Sequence, residues 1–277
     1  MAELKTNSSA TIYNRIINKQ RSFEMYSTAK ANAAYLRGDY AAAAQMYLDG
    51  ARDGIADAAF NYGYCLYRGI GVACDMHEAK SFFSFARDVD GGDAEYNLGM
   101  LYMRGEGVAK DYHRAYEHIR AAADAGCIEA QLYLGMAFTT GCMIEPDIAF
   151  ISRIPYHKPE YRRDENLIDG YIDPDVAEQD EAARFSVIHA DGREAFDWFR
   201  IAAYHAPEYV DDLVAKGKYL YAKCHIDGLG IDADIKRGAY LMLMAGRSGS
   251  EDAVAYLEAN GVRTDMYLSS GRGRRRE

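Results

Sequence analysis

The chain has 277 residues, of which 49% are hydrophobic and 27% charged, a composition typical of folded proteins with a substantial buried core. The formal net charge of −10 argues against a general nucleic-acid-binding protein, because that affinity depends on lysine and arginine side chains that neutralise phosphates. No apolar run approaches the roughly 18 residues of a membrane-spanning helix, and no secretory signal is visible, so we expect a cytoplasmic protein that does not bind membranes.

The N-terminal part is predicted to consist of a flexible arm, residues 1–20, and a helix that follows it. Between Ser22 and Leu36, apolar residues recur every three or four positions, which is the spacing of an amphipathic helix. We expect this helix to cap the first of the repeats that come next.

Three copies of one pattern follow, and corresponding residues lie 36 positions apart. Recurrence in phase at several positions indicates a structural repeat. The residues that share this register are Asp39, Asp75 and Asp111; Ala43, Ala79 and Ala115; Ala58, Ala94 and Ala130; Gly63, Gly99 and Gly135; and Gly69, Gly105 and Gly141.

Each copy predicts two helices, as the central one illustrates. His77 to Asp90 and Asp93 to Met103 both carry apolar residues at helical spacing, and Gly91-Gly92 separates them. Gly105-Glu106-Gly107 is expected to end the second helix, because glycine adopts the left-handed conformation of a helix C-cap. Asp111 can then act as the N-cap of the next helix.

This pattern resembles the Sel1-like repeat, a relative of the tetratricopeptide repeat. The matching motifs are Ala-x-x-Phe-Phe from Ala79 and Leu-Gly-x-x-Tyr-x-x-Gly-x-Gly-Val from Leu98, and the resemblance extends, with one interruption, over about Arg37 to Gly261. It implies an all-α fold, a right-handed α-solenoid of helix-turn-helix repeats, and a role in binding other proteins. Residues 21–144 are assigned to the N-terminal cap helix and three repeats.

Residues 145–192 depart from the repeat and are predicted to be an insert. No long helix can cross Pro146 to Pro159, because proline removes helical hydrogen bonds, whereas Val176 to Ile188 can form one helix. Two interpretations remain open, an inserted surface loop and a binding or lid element specific to this protein.

The repeat resumes over residues 193–261, which are predicted to hold a fourth repeat and C-terminal cap helices. In the second helix of that repeat, about Val210 to Ile226, Ala222 replaces the usual glycine and His225 replaces the usual aromatic residue. Residues 262–277 are predicted to be a flexible basic tail.

The sequence contains no motif that indicates catalysis, a metal site or a cofactor. Its five cysteines neither recur in phase nor form a CxxC pair, so we expect reduced thiols. Cys224 and His225 are neighbours on one predicted helix, where packing explains them better than a catalytic dyad. We therefore predict a protein that is not an enzyme and has no catalytic, metal-binding or cofactor-binding residues.

A binding surface is the remaining functional prediction. Aromatic residues are favoured anchors at interfaces, and four of them can face the concave side from the first helices of repeats; the alternative is that they belong to the core. These candidate protein-binding residues are Tyr47, Phe83, Tyr116 and Trp198.

Three functional hypotheses follow. The first is a non-enzymatic adaptor or scaffold that binds a protein or peptide partner through the solenoid surface. The second is an immunity-type inhibitor that holds one cognate toxin or enzyme, for which a basic partner would suit the charge of −10. The third is a hydrolase of unknown substrate, which requires a polar pocket around His157, His189 or His205.

Overall fold

The computed structural model describes residues 28–87, 91–143, 182–204 and 211–264. Every regular element in these ranges is an α-helix, which confirms the predicted all-α fold of helical repeats. The predicted arm, residues 145–181 of the predicted insert and the tail beyond residue 264 lie outside the described residues.

The helices alternate as first and second members of helix-turn-helix repeats. The first helices are α2 (Tyr40–Arg52), α4 (Met76–Arg87), α6 (Tyr112–Asp124), α9 (Gly192–Tyr204) and α11 (Ile235–Arg247). The second helices are α3 (Ala56–Arg68), α5 (Gly91–Arg104), α7 (Ile128–Thr140), α10 (Asp211–Asp227) and α12 (Glu251–Ala259). Helix α1 is described over residues 28–36, and the short helix α8 over 182–185.

These bounds differ from the predicted ones at two places. Gly91-Gly92 does not separate two helices but forms the first turn of α5, where glycine costs less than in a helix interior. The helix predicted from Val176 to Ile188 does not reach its predicted end, because α8 stops at residue 185 and the chain then turns.

The chain forms two compact units. The described part of the first is residues 28–87 and 91–110, and that of the second is residues 111–143, 182–204 and 211–264. In the first unit, α2 packs on α3, α3 on α4, and α4 on α5. In the second, α6 packs on α7, α7 on α9, α9 on α10, α10 on α11, and α11 on α12. Within each unit, consecutive helices of the repeats therefore pack against one another, as helical repeats do.

Aspartate caps the N-terminus of every first helix. In each case a side-chain carboxylate oxygen accepts the backbone N–H of the residue three positions later, as predicted for Asp111, and such a cap stabilises a helix by about 1 kcal/mol. The five bonds are Asp39 to Ala42, Asp75 to Glu78, Asp111 to Arg114, Asp191 to Glu194 and Asp234 to Arg237.

Glycines of the repeat make room for aromatic rings of the next first helix. A Cβ atom on Gly63 would lie 3.1 Å from the Phe83 ring, and one on Gly135 would lie 2.4 Å from the Phe199 ring. Both phenylalanines are eight residues after the N-cap aspartate of their helix, so the two glycines occupy equivalent environments. The predicted register of small residues is thereby confirmed at these positions.

The insert leaves the repeat register intact. The N-cap residues of α4 and α11 each donate their backbone N–H to the carbonyl of the residue nine positions earlier. Asp191, the N-cap residue of α9, makes the equivalent bond to Phe138, which lies 53 positions earlier. The difference shows that 44 residues are inserted. Met143 and Arg184 also pair: the Met143 N–H donates to the Arg184 carbonyl, and Arg184 Nε donates to the Met143 carbonyl at 2.7 Å. These bonds hold the two ends of the insert together, and α9 packs on α7 as α4 packs on α3.

Candidate protein-binding surface

Two of the predicted binding residues are completely buried. Tyr47 and Phe83 both have 0% exposed surface, since each lies eight residues after an N-cap aspartate and so faces the second helix. The Tyr47 hydroxyl donates to Asn32 Oδ1, and Phe83 packs beside Phe60 with ring centroids 5.5 Å apart. Neither side chain has accessible surface, so both belong to the core, which is the alternative that the sequence left open.

The adjacent residues Phe82 and Phe83 differ in burial. Phe83, which the sequence placed on the concave side as one alternative, is the completely buried residue of the pair. Phe82 is half-buried, with its ring 4.8 Å from that of Tyr62. Two adjacent aromatic residues on a helix point about 100° apart, and periodicity alone did not decide which one faces inward.

Tyr116 and Trp198, the other two predicted residues, meet at one arginine. The Arg120 guanidinium carbon lies 5.1 Å from the centre of the Trp198 ring, and its side chain hydrogen-bonds to Tyr116. Arg120 also forms an ion pair with Glu194 at 3.9 Å. Trp198 is only 5% exposed and Tyr116 is half-buried, so the surface at this position is formed by the arginine that covers them.

The electrostatics of this cluster stabilise the charged arginine. Burial lowers the pKa of Arg120, but the hydrogen bond with Tyr116 and the carboxylates of Asp124 and Glu194 outweigh it and raise that pKa overall. The Asp124 carboxylate lies 3.4 Å from Arg120 Nε. Because its charge is already matched by two carboxylates, Arg120 serves to hold α6 against α9.

A second aromatic cluster, which the sequence did not single out, joins α9 to α10. Phe196 and Tyr221 have ring centroids 5.3 Å apart, and His225 lies 4.9 Å from Tyr221 and 5.6 Å from Phe196. Tyr204 extends the cluster outward, with its ring 5.8 Å from Tyr221 and 68% of its surface exposed. The cluster therefore runs from a buried histidine to an exposed tyrosine.

Positive charge from α9 and α11 acts on this cluster. Burial, followed by the neighbouring Tyr204, raises the pKa of Tyr221, while Arg237 and Arg200 oppose that rise. Burial lowers the pKa of His225, and Arg237 lowers it further against the opposing effect of Asp234. Both ring nitrogens of His225 are buried without a hydrogen-bond partner among the described residues.

Exposed large apolar side chains are concentrated on the first helices. Of the ten such residues among those the structure describes, eight lie on first helices and none on second helices. The helical register could have identified several of them, because they lie six, ten or thirteen residues after the N-cap aspartate, on the face opposite the buried position eight. The eight are Tyr40, Met46, Phe85, Ile201, Tyr204, Ile235, Tyr240 and Met244.

Nothing in the described part of the chain assembles a reactive centre. Burial raises the pKa of Cys65 and of Cys224 to about 12, so both thiols stay protonated, and His225 makes no hydrogen bond to its neighbour Cys224. None of the five cysteines forms a disulfide bond, and no group of three or more metal-ligating side chains occurs among the described residues. Of the histidines considered for a pocket, His189 is exposed, while residues 157 and 205 lie outside the described ranges.

None of the described helices combines the length and the apolar character needed to cross a bilayer.

Comparisons with known proteins agree with the repeat architecture. The family model described as Sel1 repeat matches residues 56–88, 92–127, 128–149, 187–206 and 215–250, more than half of the chain. No curated protein gives a significant match.

Two solved structures show a similar fold. One is a protective antigen of uropathogenic Escherichia coli strains that displays an SLR fold, with 19% identity, a TM-score of 0.59, and coverage of 87% of this chain and 42% of that one. The other is a Sel1 repeat protein from Oxalobacter formigenes, with 19% identity, a TM-score of 0.56, and coverage of 80% and 49%. This chain thus spans less than half the length of either structure, and the likeness concerns the fold alone. Since the family model matches most of the repeats that the structure describes, the chain belongs to the Sel1-repeat family.

Proposed function

We propose that this protein is a non-enzymatic scaffold that binds a protein or peptide partner through the exposed face of its first helices. Sel1-repeat proteins are in general protein-interaction scaffolds, which supports binding as the class of function. The buried, protonated thiols and the unpaired imidazole of His225 give no support to a nucleophilic reaction.

One observation carries the choice of surface. The exposed large apolar residues of the described repeats lie on first helices and not on second helices. Five of them, at positions six, ten and thirteen after the N-cap aspartate, lie opposite the buried position eight of their own helix. Exposed apolar side chains that share a helix face indicate an interaction site, whereas singly scattered ones do not. Tyrosine, methionine and isoleucine on this face supply apolar contact area, and tyrosine adds a hydrogen-bonding hydroxyl.

Quantitative affinity purification from native lysate tests the proposal. The full chain serves as bait beside a double variant, Tyr204→Ser with Tyr240→Ser, and a control, Phe185→Ser, which changes an exposed residue of α8 outside the first helices. We expect a partner in stoichiometric amount with the wild type and the control, and its loss with the double variant. Recovery of no stoichiometric partner, or equal recovery by all three baits, would contradict the proposal.

A further inference from the structure

One surface in the second unit combines exposed aromatic rings with arginine side chains. We call it the Tyr204–Tyr240 patch and define it by Ile201, Tyr204, Tyr221, Arg237, Tyr240 and Met244. The edge-on contact of Tyr204 with Tyr221 joins α9 to α10, and the side-chain hydrogen bond between Tyr221 and Arg237 joins α10 to α11. The patch is therefore continuous across three helices.

Helical spacing extends the patch along α9 and α11. Tyr240 lies three residues after Arg237 and is 63% exposed, and Met244 lies four residues after Tyr240. On α9, Ile201 lies three residues before Tyr204. Residues three or four apart share a helix face, so Tyr240 and Met244 extend the patch along α11 from Arg237, and Ile201 extends it along α9 from Tyr204.

Arg237 is an exposed positive charge at this patch, although the chain as a whole is strongly negative. The charge of Arg237 acts to lower the pKa of both Tyr221 and His225, and the charge of Arg200 also acts to lower the pKa of Tyr221. Asp234, the nearest acidic neighbour of Arg237 in the chain, uses its carboxylate to accept the backbone N–H of Arg237 at 2.9 Å. No carboxylate among the described residues forms an ion pair with the Arg237 guanidinium.

Arg237 therefore presents donors that suit an anion from outside. A guanidinium carries five N–H donors in a planar fork, and the hydrogen bond to Tyr221 leaves most of them available for a carboxylate. The exposed rings of Tyr204 and Tyr240 offer apolar area beside it, and tyrosine with arginine is the composition that dominates binding energy at protein interfaces.

Resting on the proposed function, we infer that the Tyr204–Tyr240 patch binds an acidic peptide segment that carries at least one large apolar side chain. A carboxylate of the segment accepts hydrogen bonds from the Arg237 guanidinium, and the apolar side chain packs against the two exposed tyrosine rings. A carboxylate from the peptide also agrees with the observation that no carboxylate of the described residues forms an ion pair with Arg237.

Selection from a display library of random twelve-residue peptides on the full chain tests the inference, followed by fluorescence anisotropy of the enriched peptides. The variants are Arg237→Gln and Tyr204→Ser, both at exposed positions. The control is Arg114→Gln, since Arg114 also lies three residues after an N-cap aspartate but forms an ion pair with that aspartate at 3.4 Å. Circular dichroism establishes that all variants are folded.

We expect enriched peptides with net negative charge and a large apolar residue, bound about tenfold or more weakly by Arg237→Gln and by Tyr204→Ser, and within about twofold of wild type by Arg114→Gln. Enrichment of basic peptides, or binding unchanged in both patch variants, overturns the acidic-peptide inference while the proposed peptide-binding function stands. Enrichment of no peptide overturns both. A twelve-residue oligothymidine that binds more tightly than any peptide also overturns the inference, because stacking tyrosines beside arginine suit single strands as well.

Discussion

Gly135 provides the most direct test of how the helices pack. A Cβ atom at this position would lie 2.4, 2.6 and 2.9 Å from three atoms of the Phe199 ring, which is buried and cannot move into solvent. Overpacking of this kind costs about 1–3 kcal/mol, and the better helix propensity of alanine returns about 1 kcal/mol. With three contacts under 3.0 Å, we expect a packing cost in the upper part of that range, about 2–3 kcal/mol. After the gain in helix propensity, Gly135→Ala should lower the free energy of unfolding of the second unit by about 1–2 kcal/mol.

Gly63→Ala is the matched control in the first unit. There the new Cβ would lie 3.1 Å from the Phe83 ring, a contact that a small shift relieves. The same gain in helix propensity then nearly offsets the packing cost, so we expect a change within about 0.5 kcal/mol of zero.

A double-mutant cycle separates packing from backbone effects. The chain already contains the compensated pair, because Ala222 replaces the glycine of the repeat and Met242 stands at the corresponding ring position in the same buried cluster. Combining Gly135→Ala with Phe199→Met should therefore restore part of the lost stability, with a coupling energy of about 1 kcal/mol or more.

Urea unfolding followed by the fluorescence of Trp198, the single tryptophan, reports on the second unit, and circular dichroism reports on all helices. The reasoning is refuted if Gly135→Ala is as stable as the wild type, or if the two substitutions at Gly135 and Phe199 add without coupling.

Three further predictions concern the turns, the buried histidine and the thiols. Gly230 has φ of +73°, and a Cβ atom there would lie 1.9 Å from the Gly192 carbonyl oxygen. Gly230→Ala should therefore lower the melting temperature far more than Gly249→Ala, because Gly249 is also left-handed but has no neighbouring atom within 4 Å. Equal shifts in melting temperature would contradict this. Folding lowers the pKa of His225, so its contribution to stability is complete at pH values above the unfolded-state pKa near 6.5 and is lost as the pH falls below that value. Urea titrations from pH 8 to 5 should therefore show a smaller loss of unfolding free energy for His225→Phe than for the wild type. A thiol reagent should label exposed Cys74 in the native protein and the three buried thiols only after unfolding, which mass spectrometry of the labelled peptides checks.

The repeat period and its capping residues were determined by the sequence alone. Aspartate at a fixed interval predicts an N-cap and glycine predicts a left-handed C-cap, because both depend on the local backbone within one turn. All five aspartate caps form. Local chemistry therefore sufficed for the elements and for the family resemblance.

Tertiary packing decided which aromatic residues are buried and which are exposed. Tyr47, Phe83 and Trp198 fill the interior, whereas Tyr204 and Tyr240 are exposed, although all five lie on first helices. The difference depends on which face of each first helix packs against the neighbouring helices. Consecutive residues of a helix point about 100° apart, so a shift of one position along the sequence is enough to move a side chain from the core to the surface. Likewise, the hydrogen bond from Arg184 Nε to the Met143 carbonyl joins residues 41 positions apart, and no local sequence pattern predicts that pairing.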